Sequence, residues 1–589
     1  MIMPETEKAA AVPPETDADD GPDADVPLRG VFRPWMIIIG LIILAAYQFH
    51  FINFTWDDPF ITWRYAENFA QGKGLVFNEG ERVEGYSNLL YVLIFALFYK
   101  LHIYWGELRL LYPAKIIGSL TSLALIWLTV RYAAKLDSFR RLRYPKAAVV
   151  IGFLAVSNIF LHIWAMCGME TIFFPFLVLL GNIFLISGIE AEGSERRKRF
   201  YQAGFIYFLA TITRPDGFIM VGSAFLFVVM SIREKRLSFY DVLGIFITWL
   251  IPSLAVLAWR YSYYGELMPM SYFSKASGGW EKIRAGTFQW KFGATQILGH
   301  WFLYALMYLP IITRRGRVGP AYFLLFCQTL FYQVYIIYSG FDFLWGNRFF
   351  THMLPMLELM LFAGICEIFY FDRSFRISSN ERANYEMSRR LTIALVLVIL
   401  AMFGISGNAG FYKLQHWDFK SGFLTGLKPD WMLPAYYDTG MYMKRNLEPT
   451  DLVAIGDIGA IPYISGVRVL DCFGLTDKYT AKLPGDFFFK KYDIDYILGE
   501  SPYNSRKPDY IVLMGHLYHR GQDNIIFHPS ADKFLYMVAL WADQRFHDDY
   551  ELVDEVDFFL IFKHKDLGRG PEQSEGIKRW YERGQHNTF

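Results

Sequence analysis

The stretch Trp56-Asp57-Asp58-Pro59-Phe60-Ile61-Thr62-Trp63-Arg64-Tyr65 follows closely on an apolar run of membrane-spanning length, 34–51. Paired carboxylates at the edge of a bilayer are unfavourable unless something uses them. The loop continues through Gly72-Lys73-Gly74-Leu75-Val76-Phe77-Asn78-Glu79-Gly80-Glu81-Arg82-Val83-Glu84-Gly85, dense in acids and turn-forming glycines. A span that delivers such a loop to one interface marks the chain as a candidate membrane enzyme.

Composition extends this reading. Hydrophobic residues make up 53% of the chain and aromatic residues 18%, with a formal net charge of +1, which indicates a polytopic α-helical membrane protein and gives no electrostatic basis for binding nucleic acid. Further apolar runs lie at 112–134, 146–166, 171–189, 200–213, 217–232, 239–260, 299–312, 319–338, 348–371 and 390–407. The run at 88–101 is shorter and suits a re-entrant or interfacial helix. If it does not cross, five basic loops share one side of the membrane. They carry Lys135 to Lys146, Arg196-Arg197-Lys198-Arg199, Arg233 to Arg236, Arg314 to Arg317, and Arg373 to Arg390. The positive-inside rule then gives about eleven spans, a cytoplasmic N-terminus and an extracytoplasmic C-terminal region.

Residues 1–33 are rich in Ala, Pro, Asp and Glu and are expected to form a disordered cytoplasmic tail. The run after them lacks a small-x-small cleavage site and reads as a retained signal-anchor. The transmembrane region is expected over 34–409, with its first external loop at 53–111. From 410 to 589 polar residues interleave with short β-like runs at 452–457, 467–472, 509–514 and 558–562, and with a helical pattern from Tyr436 to Asn446. This predicts a soluble extracytoplasmic α/β domain. Cys167, Cys327, Cys366 and Cys472 are scattered, with neither metal-binding spacing nor a disulfide framework.

The unusual polar residues fall in loops assigned to the external face: Asp57, Asp58, Arg64 and Glu84 in the first, then Glu170, Arg214 with Asp216, Lys275, Asp342 and Arg348. A pool of carboxylates with separate cations is what transfer of a sugar requires. A carboxylate deprotonates an acceptor hydroxyl, and Arg or Lys meets a departing phosphate. Asp57 and Asp58 also suit a divalent cation, Mg²⁺ or Mn²⁺. Structural roles compete throughout. Either aspartate suits a helix start before Pro59, Arg64 can pair with Glu67, Glu170 can favour a helix N-terminus, Arg214 and Asp216 can form a turn, and Asp342 can pair with Arg348.

Several blocks resemble the GT-C class of membrane glycosyltransferases, in particular the mycobacterial terminal β-(1→2)-arabinofuranosyltransferase family. They are Asp57 to Tyr65, Gly74 to Glu84, Cys167-Gly168-Met169-Glu170-Thr171, Thr213-Arg214-Pro215-Asp216-Gly217, Tyr263 to Pro269 with Lys275, Gly340-Phe341-Asp342 with Arg348, and Val469 to Asp477. The resemblance implies an inverting enzyme of the bacterial plasma membrane that uses a polyprenyl-phosphate-linked sugar and a glycan, lipid or protein acceptor. It implies Asp57 as base, Asp58 as helper or metal ligand, and Lys275 and Arg348 at the lipid phosphate. Rival readings are a GT-C transferase with a mannosyl or aminoarabinosyl donor, a transporter, and a glycan-binding scaffold.

Overall fold

The computed structural model describes residues 28–578, apart from 29, 143, 234–236, 276–278, 299–300, 341–347, 379–431, 486–490, 515, 520–524, 529–534, 558 and 576. Most of the tail expected over 1–33, the apolar run at 390–407 and the expected boundary at 410 lie outside the described residues.

The first part of the chain is helical: α1 (Pro34–His50), α2 (Asp58–Ala70), α3 (Leu89–Lys100), α4 (Leu111–Ala133), α5 (Asp137–Leu142), α6 (Ala148–Ser157), α7 (Ile159–Met166) and α8 (Phe173–Glu190). It continues with α9 (Gly193–Thr213), α10 (Gly217–Arg233), α11 (Phe239–Tyr264), α12 (Met270–Lys275), α13 (Trp280–Leu298), α14 (Trp301–Thr313), α15 (Pro320–Ser339) and α16 (Arg348–Ser378). Among the described residues five helices are long and apolar enough to cross a membrane: α4, α8, α15, Val242–Tyr264 of α11 and Arg348–Tyr370 of α16. The pair α6 and α7, bent by 48°, makes a sixth if it crosses as one.

Five or six of the about eleven expected spans are thus long and apolar enough to cross among the described residues. The other expected spans are the shorter apolar helices α1, α10 and α14, the helix α9, whose first turns carry Arg196-Arg197-Lys198-Arg199, and the run at 390–407, which lies outside the described residues. The 17 residues of α1 extend about 25 Å at ~1.5 Å per residue, less than a hydrocarbon core of about 30 Å. At 12 residues α3 is shorter still, as an interfacial helix would be. The helix α13 was not anticipated, because its Glu281, Lys282, Arg284 and Lys291 interrupt the apolar pattern of what reads as a loop. Within the bundle, Gly181 and Gly188 of α8 admit the rings of Tyr207 and Phe200 from α9, where a Cβ would come within 2.5 Å of ring carbons. Small residues at such contacts let membrane helices approach closely.

Beyond α17 (Met432–Asn446) the chain forms β1 (Leu452–Ile455), α18 (Ala460–Ser465), β2 (Arg468–Asp471), α19 (Lys478–Lys482), α20 (Ile494–Ile497) and β3 (Tyr510–Met514). Then come β4 (His516–His519), β5 (Ile525–His528), α21 (Leu535–Ala542), α22 (Gln544–Asp549), β6 (Tyr550–Val556) and β7 (Phe559–His564). One sheet has the order β2-β1-β3-β7-β6, and β4 pairs with β5 separately. β1 runs parallel to both β2 and β3, while β7 is antiparallel to β3 and β6. The central strands β1 and β3 are buried along their whole length, which explains why their sequences are unbroken apolar runs. β6, Tyr-Glu-Leu-Val-Asp-Glu-Val, is a half-exposed edge strand whose acids hid it from the sequence reading.

Two apolar cores form among the described residues. One fills the helical bundle; the other joins Phe60, Trp63, Tyr65 and Phe95 of the first-loop segment to Val453, Ile461, Val469 and Ile511 of the sheet region. Arg64 fastens the two parts: Nε donates to Phe77 O at 3.0 Å, Nη1 to Pro462 O and Nη2 to Val467 O, both at 2.7 Å. Its guanidinium also covers the Phe77 ring at 4.3 Å. The first loop and the C-terminal sheet therefore pack together, although Arg64 and Pro462 are 398 positions apart in the chain.

Candidate active site

The acid pair is held from both sides. Before it, Thr55 donates to Cys167 O at 2.6 Å, and the buried Lys115 of α4 donates to Phe54 O and Met166 O, each at 2.7 Å. Asp57 occupies the N-cap position of α2 but makes no side-chain cap bond there. Its carboxylate reaches across to the segment after β1, where Oδ2 accepts from Gly459 N at 2.8 Å and Oδ1 from Ala460 N at 2.7 Å. The approach depends on glycine, since a Cβ at position 459 would lie 2.1 Å from Asp57 O and 2.3 Å from its Cγ. Gly459→Ala is expected to force the two segments apart, lowering stability by about 1–3 kcal/mol. Thermal unfolding of the purified protein in detergent measures this.

Asp58 opens α2 and faces Arg348, the first residue of α16, with Oδ2 3.7 Å from Nη1. Arg348 is buried and lies over the Phe349 ring at 5.3 Å. A third carboxylate, Asp457, comes from the segment between β1 and α18, and its Oδ1 accepts from Tyr436 Oη at 3.2 Å. Asp57, Asp58 and Asp457 keep partial solvent access, although protein atoms surround Asp57 and Asp457 densely. Burial pushes the Asp57 carboxyl well above the usual range, and the Asp58 charge adds to this against the Ala460 and Gly459 N–H groups. Burial likewise raises Asp457, with the Asp57 charge next in effect.

Behind the acids runs a buried polar circuit. Thr62, one turn along α2 from Asp58, exchanges hydrogen bonds with Asn88 at 3.1–3.2 Å, and Asn88 Nδ2 donates to Glu170 Oε2 at 2.7 Å. Arg214 Nη1 donates to Glu170 Oε1 at 2.6 Å and Nε to Asp216 Oδ1 at 2.8 Å. Tyr332 donates to Asp216 Oδ2, and its hydroxyl lies 2.7 Å from His352 Nδ1. His352 is one turn along α16 from Arg348, so the two ends of the circuit lie one helical turn from the Asp58–Arg348 pair. Buried charges of this kind are tolerated only when paired and hydrogen-bonded.

The remaining expected site residues fall elsewhere. Glu84 is fully buried against Arg260 of α11, with Nε 2.8 Å from Oε2, and its backbone carbonyl accepts from Met270 N. Burial pushes its carboxyl up to about 7, with Arg260 opposing. Arg64 serves three backbone carbonyls, as described, and Glu170 and Arg214 lie in the circuit behind the acids. Lys275 ends α12, next to Ser274, which donates to Gly474 O at 2.8 Å. Asp342 lies outside the described residues.

Sequence reasoning passed over Asp457 and Tyr436. The available signal was Gly456-Asp457-Ile458-Gly459, an acid between glycines directly after a buried strand. It also left Lys115, Tyr332 and His352 inside apolar runs. For the divalent-cation reading of Asp57 and Asp58, the donor set does not fit. Both Asp57 oxygens accept backbone N–H groups, Asp58 faces a guanidinium, and among the described residues no group of three or more His, Cys, Asp or Glu is arranged to hold a metal.

This arrangement, a polytopic helical bundle with acids gathered at the start of a short helix and a mixed sheet packed on that loop, has a counterpart among solved membrane-protein structures. The structure aligns with ArnT from Cupriavidus metallidurans bound to undecaprenyl phosphate, with a TM-score of 0.55, 13% identity, and coverage of 91% of this chain and 99% of that one. In sequence the chain resembles the terminal β-(1→2)-arabinofuranosyltransferase of Corynebacterium glutamicum, at 25% identity over 360 residues, covering 54% of this chain and 49% of the relative. The enzyme of the same name from Mycobacterium tuberculosis is 26% identical over 255 residues, covering 42% of this chain and 38% of the relative. The chain thus spans about half the length, or less, of these two relatives. Residues 431–578 match a domain of unknown function, DUF8728.

Proposed function

We propose that this chain is a membrane glycosyltransferase that moves a sugar, arabinofuranose in the first instance, from a polyprenyl-phosphate donor to a cell-envelope glycan, lipid or protein acceptor with inversion. The observation that carries the reading is the meeting of Asp57 and Asp58 with Arg348 and Asp457 at the start of α2, on a GT-C fold. Relatives named as arabinofuranosyltransferases support the sugar, and the undecaprenyl phosphate of ArnT supports the lipid. Basic loops on the opposite side from the acids support an extracytoplasmic site.

In this mechanism the acceptor hydroxyl gives its proton to Asp57 as its oxygen bonds the anomeric carbon. The bond from that carbon to the phosphate oxygen breaks, and the electron pair leaves on the polyprenyl phosphate. Arg348 meets the growing phosphate charge, and Asp58 holds the guanidinium in place. The two N–H groups on Asp57 fix its orientation, while burial keeps it basic enough to accept a proton near neutral pH.

This has a pH consequence of definite sign. The base must be ionised, so transfer rises as pH rises through the elevated Asp57 pKa, well above the ordinary carboxylate value of about 3.9. Stability runs the other way. Asp57 and Asp457 are raised by burial, as are Glu84 to about 7 and Asp471 to about 6. The folded state then binds more protons than the unfolded chain between about pH 4 and 8, and stability falls as pH rises across that window. Transfer rates and unfolding temperatures measured from about pH 5 to 8 should therefore slope in opposite directions. The reading itself is tested by assaying transfer from polyprenyl-phosphoryl arabinofuranose to an arabinofuranoside acceptor.

A further inference from the structure

β1 lies between β2 and β3, so the chain leaves it toward one side of the sheet and returns on the other. The carboxyl end of β1 is therefore a topological switch point, where open α/β sheets bind their ligands. Two acids meet there. Asp457 follows the strand directly, and Asp57 enters from the first loop to take the N–H groups of Gly459 and Ala460. Asp457 Oδ1 is engaged by Tyr436, whereas the buried Oδ2 has no hydrogen-bond partner among the described residues. A buried carboxylate oxygen left without a donor is unfavourable, and a ligand that brings one removes the penalty.

The identity of that donor follows from the charges nearby. The strongest charges acting on Asp457 are other carboxylates: Asp57, Asp471 and Asp58. They exclude a phosphate and favour a neutral group rich in hydroxyls. Arg348, on the membrane helix, is the cation beside Asp58, and it suits the lipid phosphate. The two halves of the site thus divide by charge. Resting on the transferase reading, we propose that Asp457 binds the acceptor sugar, its Oδ2 accepting the hydrogen bond of a hydroxyl adjacent to the one that Asp57 deprotonates. The C-terminal sheet then supplies a residue that touches substrate, besides supporting the first loop.

The test is steady-state transfer by the full-length protein in detergent, with polyprenyl-phosphoryl arabinofuranose as donor and a synthetic arabinofuranosyl disaccharide as acceptor. Asp457→Asn keeps the side-chain shape and is expected to raise the acceptor KM about tenfold or more, with the donor KM within about twofold of wild type. Tyr436→Phe, which leaves the carboxylate in place, should raise the acceptor KM less. Unfolding temperatures for both variants establish that the protein is folded. An unchanged acceptor KM in a folded Asp457→Asn protein, or a rise confined to the donor KM, overturns the assignment and leaves the transferase reading standing. A wild-type protein that transfers no sugar overturns both, and the two failures are told apart by the wild-type rate alone.

Discussion

Asparagine in place of Asp57 is expected to lower sugar transfer by about 10²–10⁴-fold, the usual contribution of a positioned general base. The neutral amide cannot take the acceptor proton. It also disturbs the anchor: Asp57 accepts two backbone N–H groups, from Gly459 and Ala460, and an amide can accept only through its oxygen. One N–H then faces an NH₂ group, which costs about 1–3 kcal/mol of stability. Both losses are measurable, one as a rate and the other as an unfolding temperature. Asp58→Asn should act differently. It leaves the base and its anchor intact but removes the carboxylate that faces Arg348, so its main effect falls on the donor KM.

The second large effect is expected at Arg214. Leucine there leaves Glu170 and Asp216, both buried, without their shared cation. Breaking a buried ion network from one side typically costs about 3–5 kcal/mol. Thermal unfolding in detergent should show this directly, and expression in membranes should fall with it. Because the ends of the circuit, His352 on α16 and Thr62 on α2, lie one turn from Arg348 and Asp58, the residual folded protein should also transfer sugar poorly. An Arg214→Leu protein as stable as wild type would contradict the circuit as described.

Much of this arrangement can be seen in the sequence, and the parts that cannot have physical reasons. Long apolar runs announce α4, α8, α11, α15 and α16, and short β-like runs announce β1, β2, β3 and β7. The Asp57-Asp58-Pro59 start of α2 is legible for the same local reason, acids before a proline at a helix N-terminus. Partners distant in sequence are not. Glu170, Arg214 and Asp216 stand out individually, yet that one guanidinium joins both acids depends on three-dimensional packing. Arg64 looks like a cation for substrate because local pattern cannot show that carbonyls of Phe77, Pro462 and Val467 converge on it. Asp457 escapes notice because its importance comes from Asp57, which lies 400 positions earlier in the chain (457 − 57). Spans are harder to count, because helices such as α1 and α14 are apolar but short, and hydropathy alone does not distinguish a short crossing from an interfacial helix.

The most direct test of the central claim is transfer in purified membranes from a panel of radiolabelled polyprenyl-phosphate sugars, with the native acceptor pool supplied. The panel contains arabinofuranosyl, mannosyl and aminoarabinosyl donors, and wild type is run beside the folded Asp57→Asn variant. The account predicts transfer from one donor, arabinofuranosyl phosphate lipid, and its loss in the variant. Undiminished transfer by Asp57→Asn would contradict the assignment of the base, and absence of transfer from every donor by folded wild-type protein would contradict the glycosyltransferase itself.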